Sequence, residues 1–325
     1  MHAASVITLS SVLAAAACLF PGAAATAAPF LLAVLVVTCG LPHGAADHLY
    51  AGSLAGRPLG RTEAALFLCG YLAVSAVVVA GWIVMPLVTI VGFFLLSAWH
   101  FGQEDPDAAG HFSDRIPSAL RQALRFSTGG VVIWVLLLFR RPEVVKILNT
   151  ISPAETVGEI ATAAQYLTPC AVAGLVLAVI NASLNIEDAA FASHGSRWEK
   201  IGPVMALASA SVLAVLAGPL LGFVVYFCGW HSALGLARLR RELGLGWGGL
   251  VKTLAPLTAV TVLLFGCGAA FVWRSPDMTE ALVRTTFLGL SAVAVPHILL
   301  HGAGPRLRRR LRAASPAIAV AGSAL

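Results

Sequence analysis

Charge is what this chain has least of: only 11% of its 325 residues are Asp, Glu, Lys or Arg, while 58% are hydrophobic. That balance excludes an ordinary soluble domain and reads as a polytopic membrane protein. The six cysteines (Cys18, Cys39, Cys69, Cys170, Cys228 and Cys267) all sit in apolar stretches, and no CxxC occurs. Buried small hydrophobes are therefore expected, not disulfides or a thiolate metal site. No convincing Ser-His-Asp pattern, soluble domain, low-complexity linker or coiled coil is visible. The first apolar run, residues 5–20, lacks the positive residues that precede the core of a signal peptide, so it is taken as a membrane helix. The net charge of +6 gathers in a few loops and in Arg306, Arg308, Arg309, Arg310 and Arg312. Such clusters meet anionic lipid headgroups and set orientation; they do not indicate a nucleic-acid partner.

Apolar runs long enough to span a bilayer recur throughout. The expected architecture is an all-α polytopic membrane bundle of about eight to ten transmembrane helices, over segments 5–20, 29–49, 64–84, 86–101, 119–139, 167–184, 203–217, 219–236, 250–273 and 281–303. Gly218-Pro219 divides one long stretch in two, because proline removes a helical hydrogen bond and clashes with the preceding turn. One membrane domain covers residues 1–325, with a basic cytoplasmic tail over 304–325. Basic loops at Arg57 and Arg61, at Arg238, Arg240 and Arg241, and the tail put both termini in the cytoplasm of a multi-pass inner (plasma) membrane protein. One loop disagrees: Arg140, Arg141 and Lys146 fall outside, offset only in part by Glu143, which points to a different helix count or a re-entrant segment.

Within this apolar chain stand four histidine motifs: LPHGAADH (His43 to His48), AWHFGQED (His100 to Asp105), GWHSALG (His231) and VPHILLHG (His297 and His301). An imidazole left unpaired in a bilayer is costly, so intramembrane histidines are functional candidates. By the topology above, all four motifs reach a similar depth in the cytoplasmic half, which suggests one shared metal centre. Pro-His occurs at 42–43 and 296–297, and Trp-His at 99–100 and 230–231, so the local settings echo one another. Residues four apart share a helix face. His43 is thus aligned with Asp47 and turned from His48, His100 with Glu104, and His297 with His301. Neutral imidazole binds metal through one nitrogen while a carboxylate or carbonyl fixes the other, a role that suits Asp47 and Glu104, with His48 a further candidate. Three or four imidazoles with an open position suit Fe(II) and dioxygen, although the same ligands hold copper or zinc. Phe93, Trp99, Phe101, Tyr226, Phe227 and Trp230 flank the Trp-His motifs and are candidates for a slot around a flat, conjugated, lipid-soluble molecule. His2, His111 and His194, in the leader or loops, are expected to be satisfied polar residues.

LPHGAADH, WHFGQED, FCGWHS and the late PH motif together resemble the Brp/Blh family of membrane β-carotene dioxygenases, over residues 29–303. The resemblance implies a multi-helix membrane fold and an Fe(II) centre held by His43, His100 and His231, with His297 and His301 completing or supporting the set. It implies oxidative cleavage of β-carotene, or a related carotenoid, by dioxygen at the central double bond to give retinal, with the polyene arriving sideways from membrane lipids. One position departs from the family pattern as the motif carries it. The histidine that usually follows four residues after the WHS histidine is Gly235 here, which bears on the substrate more than on the fold. Two other classes fit the residues alone. A transmembrane haem protein for electron transfer would use the histidines as axial ligands, and a transporter or proton channel would use them in a relay. A catalytically altered carotenoid-binding protein fits the glycine.

Overall fold

The computed structural model describes residues 2–104, 117–152, 156–190, 194–272 and 277–314. Asp105, His111 and residues 315–325 of the basic tail lie outside the described residues. All regular structure among them is helical: α1 (His2–Leu19), α2 (Pro21–Ala55), α3 (Arg61–Val84), α4 (Pro86–Glu104), α5 (Ser118–Gly129), α6 (Val131–Phe139), α7 (Arg141–Ile151), α8 (Val157–Tyr166), α9 (Thr168–Ala190), α10 (His194–Ala217), α11 (Pro219–Glu242), α12 (Trp247–Val272) and α13 (Met278–Ala314). Among the described residues nine helices are long and apolar enough to cross a membrane, ten if the bent pair α5–α6 counts as one span. The chain is an all-α polytopic bundle.

Position in the bundle follows from which helices carry polar side chains. About 60% of the best spanning window of α11 and of α13 is buried, against 11% for α3 and 17% for α12. α11 and α13, which carry His231 and His297, are therefore central, and α3 and α12 stand at the lipid-facing rim, where both faces can be apolar. The cysteines follow the same logic and correct the sequence expectation. All six are free, but Cys18, Cys69, Cys170 and Cys267 are exposed and only Cys228 is fully buried. In a membrane an apolar residue has no reason to point inward.

Gly218 has φ 90°, a conformation that favours glycine, and Pro219 opens the next helix, so the expected break between α10 and α11 is real. Two expected segments change. The helix expected to start at Pro203 begins at His194 and carries Pro203 inside it. The segment 119–139 is one helix only in composition, since it bends by 59° at Gly130, between α5 and α6. Backbone groups at that bend find partners inside the protein, as they must in a bilayer. Tyr226 donates its hydroxyl to the Gly129 carbonyl at 2.7 Å, and the Trp134 indole donates to the Ser127 carbonyl at 3.0 Å. The bend also lets α5 cross α4 closely: a Cβ on Gly102 would strike the Arg125 carbonyl, and one on Gly129 would strike the α4 backbone. The glycine of WHFGQED is a packing residue of the small-residue kind common in membrane helices.

The discordant arginine loop has a structural role. Arg140 donates through Nε to the Val215 carbonyl at 2.7 Å and through a guanidinium nitrogen to the Leu216 carbonyl at 3.3 Å, while also pairing with Glu143 at 2.6 Å. It covers the unsatisfied last carbonyls of α10. Arg141 donates to the Thr168 hydroxyl at 3.1 Å. These two guanidinium groups are consumed by helix ends, which weakens their value as markers of sidedness.

Candidate metal centre

The four histidine motifs come from α2, α4, α11 and α13, and their rings meet in the middle of the bundle. Centroids of His43 and His231 are 5.2 Å apart, His231 and His100 5.1 Å, His100 and His297 4.8 Å, and His297 and His43 4.9 Å. The quartet is closed, each neighbouring pair meeting edge to face. His100, His231 and His297 are buried and His43 is half-buried.

Local backbone makes this convergence possible. Val36–Gly40 in α2 and Val225–Ser232 in α11 are π-helical, a wider turn often found at functional sites. The two segments face each other. The Phe227 ring sits against Gly40, where a Cβ would come within 2.8 Å of it. After the π turn, Pro42 opens the short piece Leu41–Ala45 and a bend at Ala46 starts Asp47–Ala55. His43 and Asp47 therefore lie on different helical pieces. Asp47 does not reach its neighbour in sequence: its Oδ1 accepts from His297 Nδ1 at 2.8 Å and stands 3.3 Å from His301 Nε2.

With Nδ1 on Asp47, His297 turns Nε2 toward His100 Nε2, 3.2 Å away. Two imidazole nitrogens bound to one ion at about 2.1 Å stand roughly 3.0–3.4 Å apart, so this spacing fits a shared cation. One nitrogen each of His43, His100 and His297 lies within 4.8 Å of the others. That set of three leaves out His231, whose ring nonetheless borders His43 and His100. His43 Nε2 is buried with no hydrogen-bond partner, a costly state for a lone polar atom and a natural one for a ligand. The donor set thus fits a metal ion. Asp47, His297 and His301 form a second group of ligand-type atoms beside it.

The remaining predicted site residues divide. His301 stacks on Tyr50 at 4.2 Å, with Nε2 toward Asp47 and Nδ1 3.4 Å from Glu104 Oε1. Helix α4 does continue through Gly102 to Glu104, yet that carboxylate supports His301 and meets Arg238 at 3.4 Å; its contacts do not include His100. His48 directs Nδ1 to the Ala45 carbonyl at 2.8 Å and faces away from the quartet. Phe93, Phe101 and Phe227 line the histidine cavity, and Tyr226 lines its extension. Trp99 packs over Gly302 and Trp230 lies 5.4 Å from the His2 ring, so both indoles brace helices instead of lining the cavity. Phe223 was missed. It stacks on Phe227 at 5.4 Å, and its place four residues before Phe227, as Phe227 precedes His231, was the available signal.

The histidine cavity holds about 40 Å³, and apart from imidazoles only Ser97 brings a polar side chain to it. Axial ligation of a haem places two imidazoles on opposite faces of a macrocycle, whereas these four rings touch one another edge to face and leave no plane between them for one. Among the described residues, the carboxylates beside the quartet, Asp47 and Glu104, lie toward His301, and the cavity beyond Phe101 is apolar, which is unlike a relay crossing the membrane.

No solved structure matches the chain. A protein named β-carotene 15,15′-dioxygenase from an uncultured marine bacterium (66A03) is 28% identical over 269 residues, covering 82% of this chain and 90% of the relative. The family model described as β-carotene 15,15′-dioxygenase matches residues 34–303, a stretch that begins just before the first π turn and ends just after His301. By that match the chain belongs to the β-carotene 15,15′-dioxygenase family.

Proposed function

We propose that this protein cleaves β-carotene, or a closely related carotenoid, at its central double bond with dioxygen, giving retinal. The reading that the geometry supports best uses His43, His100, His231 and His297 as ligands of Fe(II). The observation that carries it is the closed, buried imidazole quartet with an unpartnered Nε2 on His43. Iron bound there would supply the dioxygen chemistry. The balance is simple: one carbon–carbon double bond breaks, two carbonyls form, and each product takes one oxygen atom, with no further reductant. Every other contribution comes from the chain. Asp47 fixes the tautomer and direction of His297, His301 and Glu104 hold Asp47 in turn, and the apolar walls exclude water and set which bond lies over the quartet. Carotenoid, dioxygen and membrane lipids are the partners, and the inner membrane with both termini cytoplasmic is the proposed setting.

The decisive experiment is expression in a bacterial host that accumulates β-carotene. Loss of colour with retinal in the extract is expected. Persistent carotene beside well-folded, iron-loaded protein would overturn the substrate assignment. A second expectation concerns Asp47. Replacing it by Asn or Ala should lower iron affinity about 10–100-fold, the usual cost of removing a group that orients a metal-bound histidine. Iron per folded protein at limiting iron measures this, and unchanged retention in both variants would sink the role.

A further inference from the structure

The narrow histidine cavity has two neighbours. On one side, sharing Phe93, Ser97, Phe101 and Phe223 with it, a cavity of about 70 Å³ runs between α4, α6, α7 and α11. Its wall reaches from Phe101 back to Ile90, next to His100 at one end and ten residues before it at the other, or about 15 Å at 1.5 Å per helical residue. Trp82 belongs to that wall and is fixed by donating its indole N–H to Ser291 Oγ at 2.8 Å. On the other side, sharing Gly44 and Val293, lies a larger cavity of about 350 Å³ between α2, α3, α12 and α13. Its outer rim includes Leu72, Val260 and Leu264, each at least half exposed on the face that meets lipid.

Apart from Asp47, whose carboxylate is turned to His297 and His301, and His48, which holds the Ala45 carbonyl, the polar groups around the larger cavity are mostly spent on their own backbone. Ser75 donates to the Tyr71 carbonyl at 3.0 Å and Thr261 to the Leu257 carbonyl at 2.9 Å. Tyr71 reaches across from α3 and donates its hydroxyl to the Val293 carbonyl of α13 at 2.7 Å. That hydroxyl is also the atom nearest to where a Cβ on Gly44 would stand, 4.0 Å away. Gly44, Tyr71 and Val293 thus form a neck between the lipid-facing cavity and the quartet. Toward the arginine-rich side the quartet is covered by polar and aromatic contacts: Tyr50 on His301, Glu104 between His301 and Arg238, and Trp99 on Gly302.

Resting on the function proposed above, we infer that the lipid-facing cavity is the docking and threading site for the polyene. One end of the molecule passes the neck at Gly44, Tyr71 and Val293, crosses the quartet and lodges in the aromatic cavity, while the other end stays between α3 and α12. The occupant is a long apolar conjugated chain, because the cavity is continuous with the histidine centre through shared wall residues and an apolar guest forfeits few hydrogen bonds there. Tyr71 and Gly44 are then positioning residues that control threading.

The test fills the cavity far from the histidines. Ala76→Trp on α3 projects an indole into it, whereas Val77→Trp, one residue on and 70% exposed, lies outside the lining and serves as control. Full-length variants purified from the carotene-accumulating host are read three ways: retinal formed, carotenoid retained on the protein, and iron per folded chain. Ala76→Trp should cut retinal and retained carotenoid about tenfold at unchanged iron, with Val77→Trp like the unsubstituted protein. Equal retinal and carotenoid in Ala76→Trp and the parent would overturn the inference, as would loss of iron in step with activity. Should the parent retain carotenoid but form no retinal, the catalytic reading fails while retention still decides the docking site. Tyr71→Phe, which removes only the hydroxyl, checks the neck itself, with altered retinal output at unchanged iron expected and full identity to the parent counting against it.

Discussion

His100→Ala yields a chain that inserts and folds but holds little iron and makes no retinal. His100 is the hub of the quartet: its ring borders His231 and His297, and its Nε2 lies 3.2 Å from that of His297. Removing it takes away one ligand, leaves His297 Nε2 facing a void and opens water-sized space in a cavity of about 40 Å³. Loss should exceed the roughly 100-fold upper range for residues that merely orient a ligand. The fold should survive, because α4 is held by its close crossing with α5 at Gly102 and Gly129, away from the ring. Elemental analysis of purified protein together with retinal in host extracts checks both halves. Iron and retinal at parental levels would remove the quartet from the mechanism.

The second large effect needs only one methyl group. Gly235→Ala adds a Cβ that would fall on the His43 ring. Because α11 and α2 are fixed by the Gly40–Phe227 contact, the ring has to turn. Overpacking of this kind costs about 1–3 kcal/mol of stability. Misplacing a reacting geometry by 1 Å costs about 100-fold in rate. Gly235→Ala should therefore keep most of its fold and lose iron and retinal nearly as far as His43→Ala. The coupling is a sharper check: in a His43→Ala background the same glycine change should add little, because the group it collides with is gone. Additive effects would mean that Gly235 acts elsewhere. The family histidine expected at this position thus has no space in this chain while His43 occupies it. His297, steadied by Asp47, stands in the quartet.

Much of this was legible beforehand. Apolar length marked the spans, and four histidines placed at one depth by a topology argument do meet. Helical periodicity failed where the helix itself is irregular. Asp47 was assigned to His43 on a four-residue rule, but the bend at Ala46, which lies between them, turns it to α13. Glu104 keeps its helix and still serves His301, because the partner across a bundle depends on crossing geometry that no single helix encodes. The two Trp-His tryptophans read as slot residues since aromatic type was visible and direction was not. Arg140, just before α7, caps α10, and Arg141 reaches Thr168 at the start of α9, partners that the loop's sequence does not reveal.

The wide turn at Val225–Ser232 has a consequence for inheritance. A π turn is an α-helix with one residue to spare. Deleting a single residue among 225–230 would restore an ordinary helix of nearly the same length and hydropathy, and the bundle could still assemble. His231 would keep nearly the same face, because seven residues at 100° end within about 20° of two full turns, the place that eight residues reach through the wide turn. The turn therefore absorbs a lost residue: the spacing from Phe223 to His231 can fall from eight to seven with both rings still directed to the centre. A descendant that has shed the extra residue is recognised by the face its histidine keeps and not by a fixed count of letters.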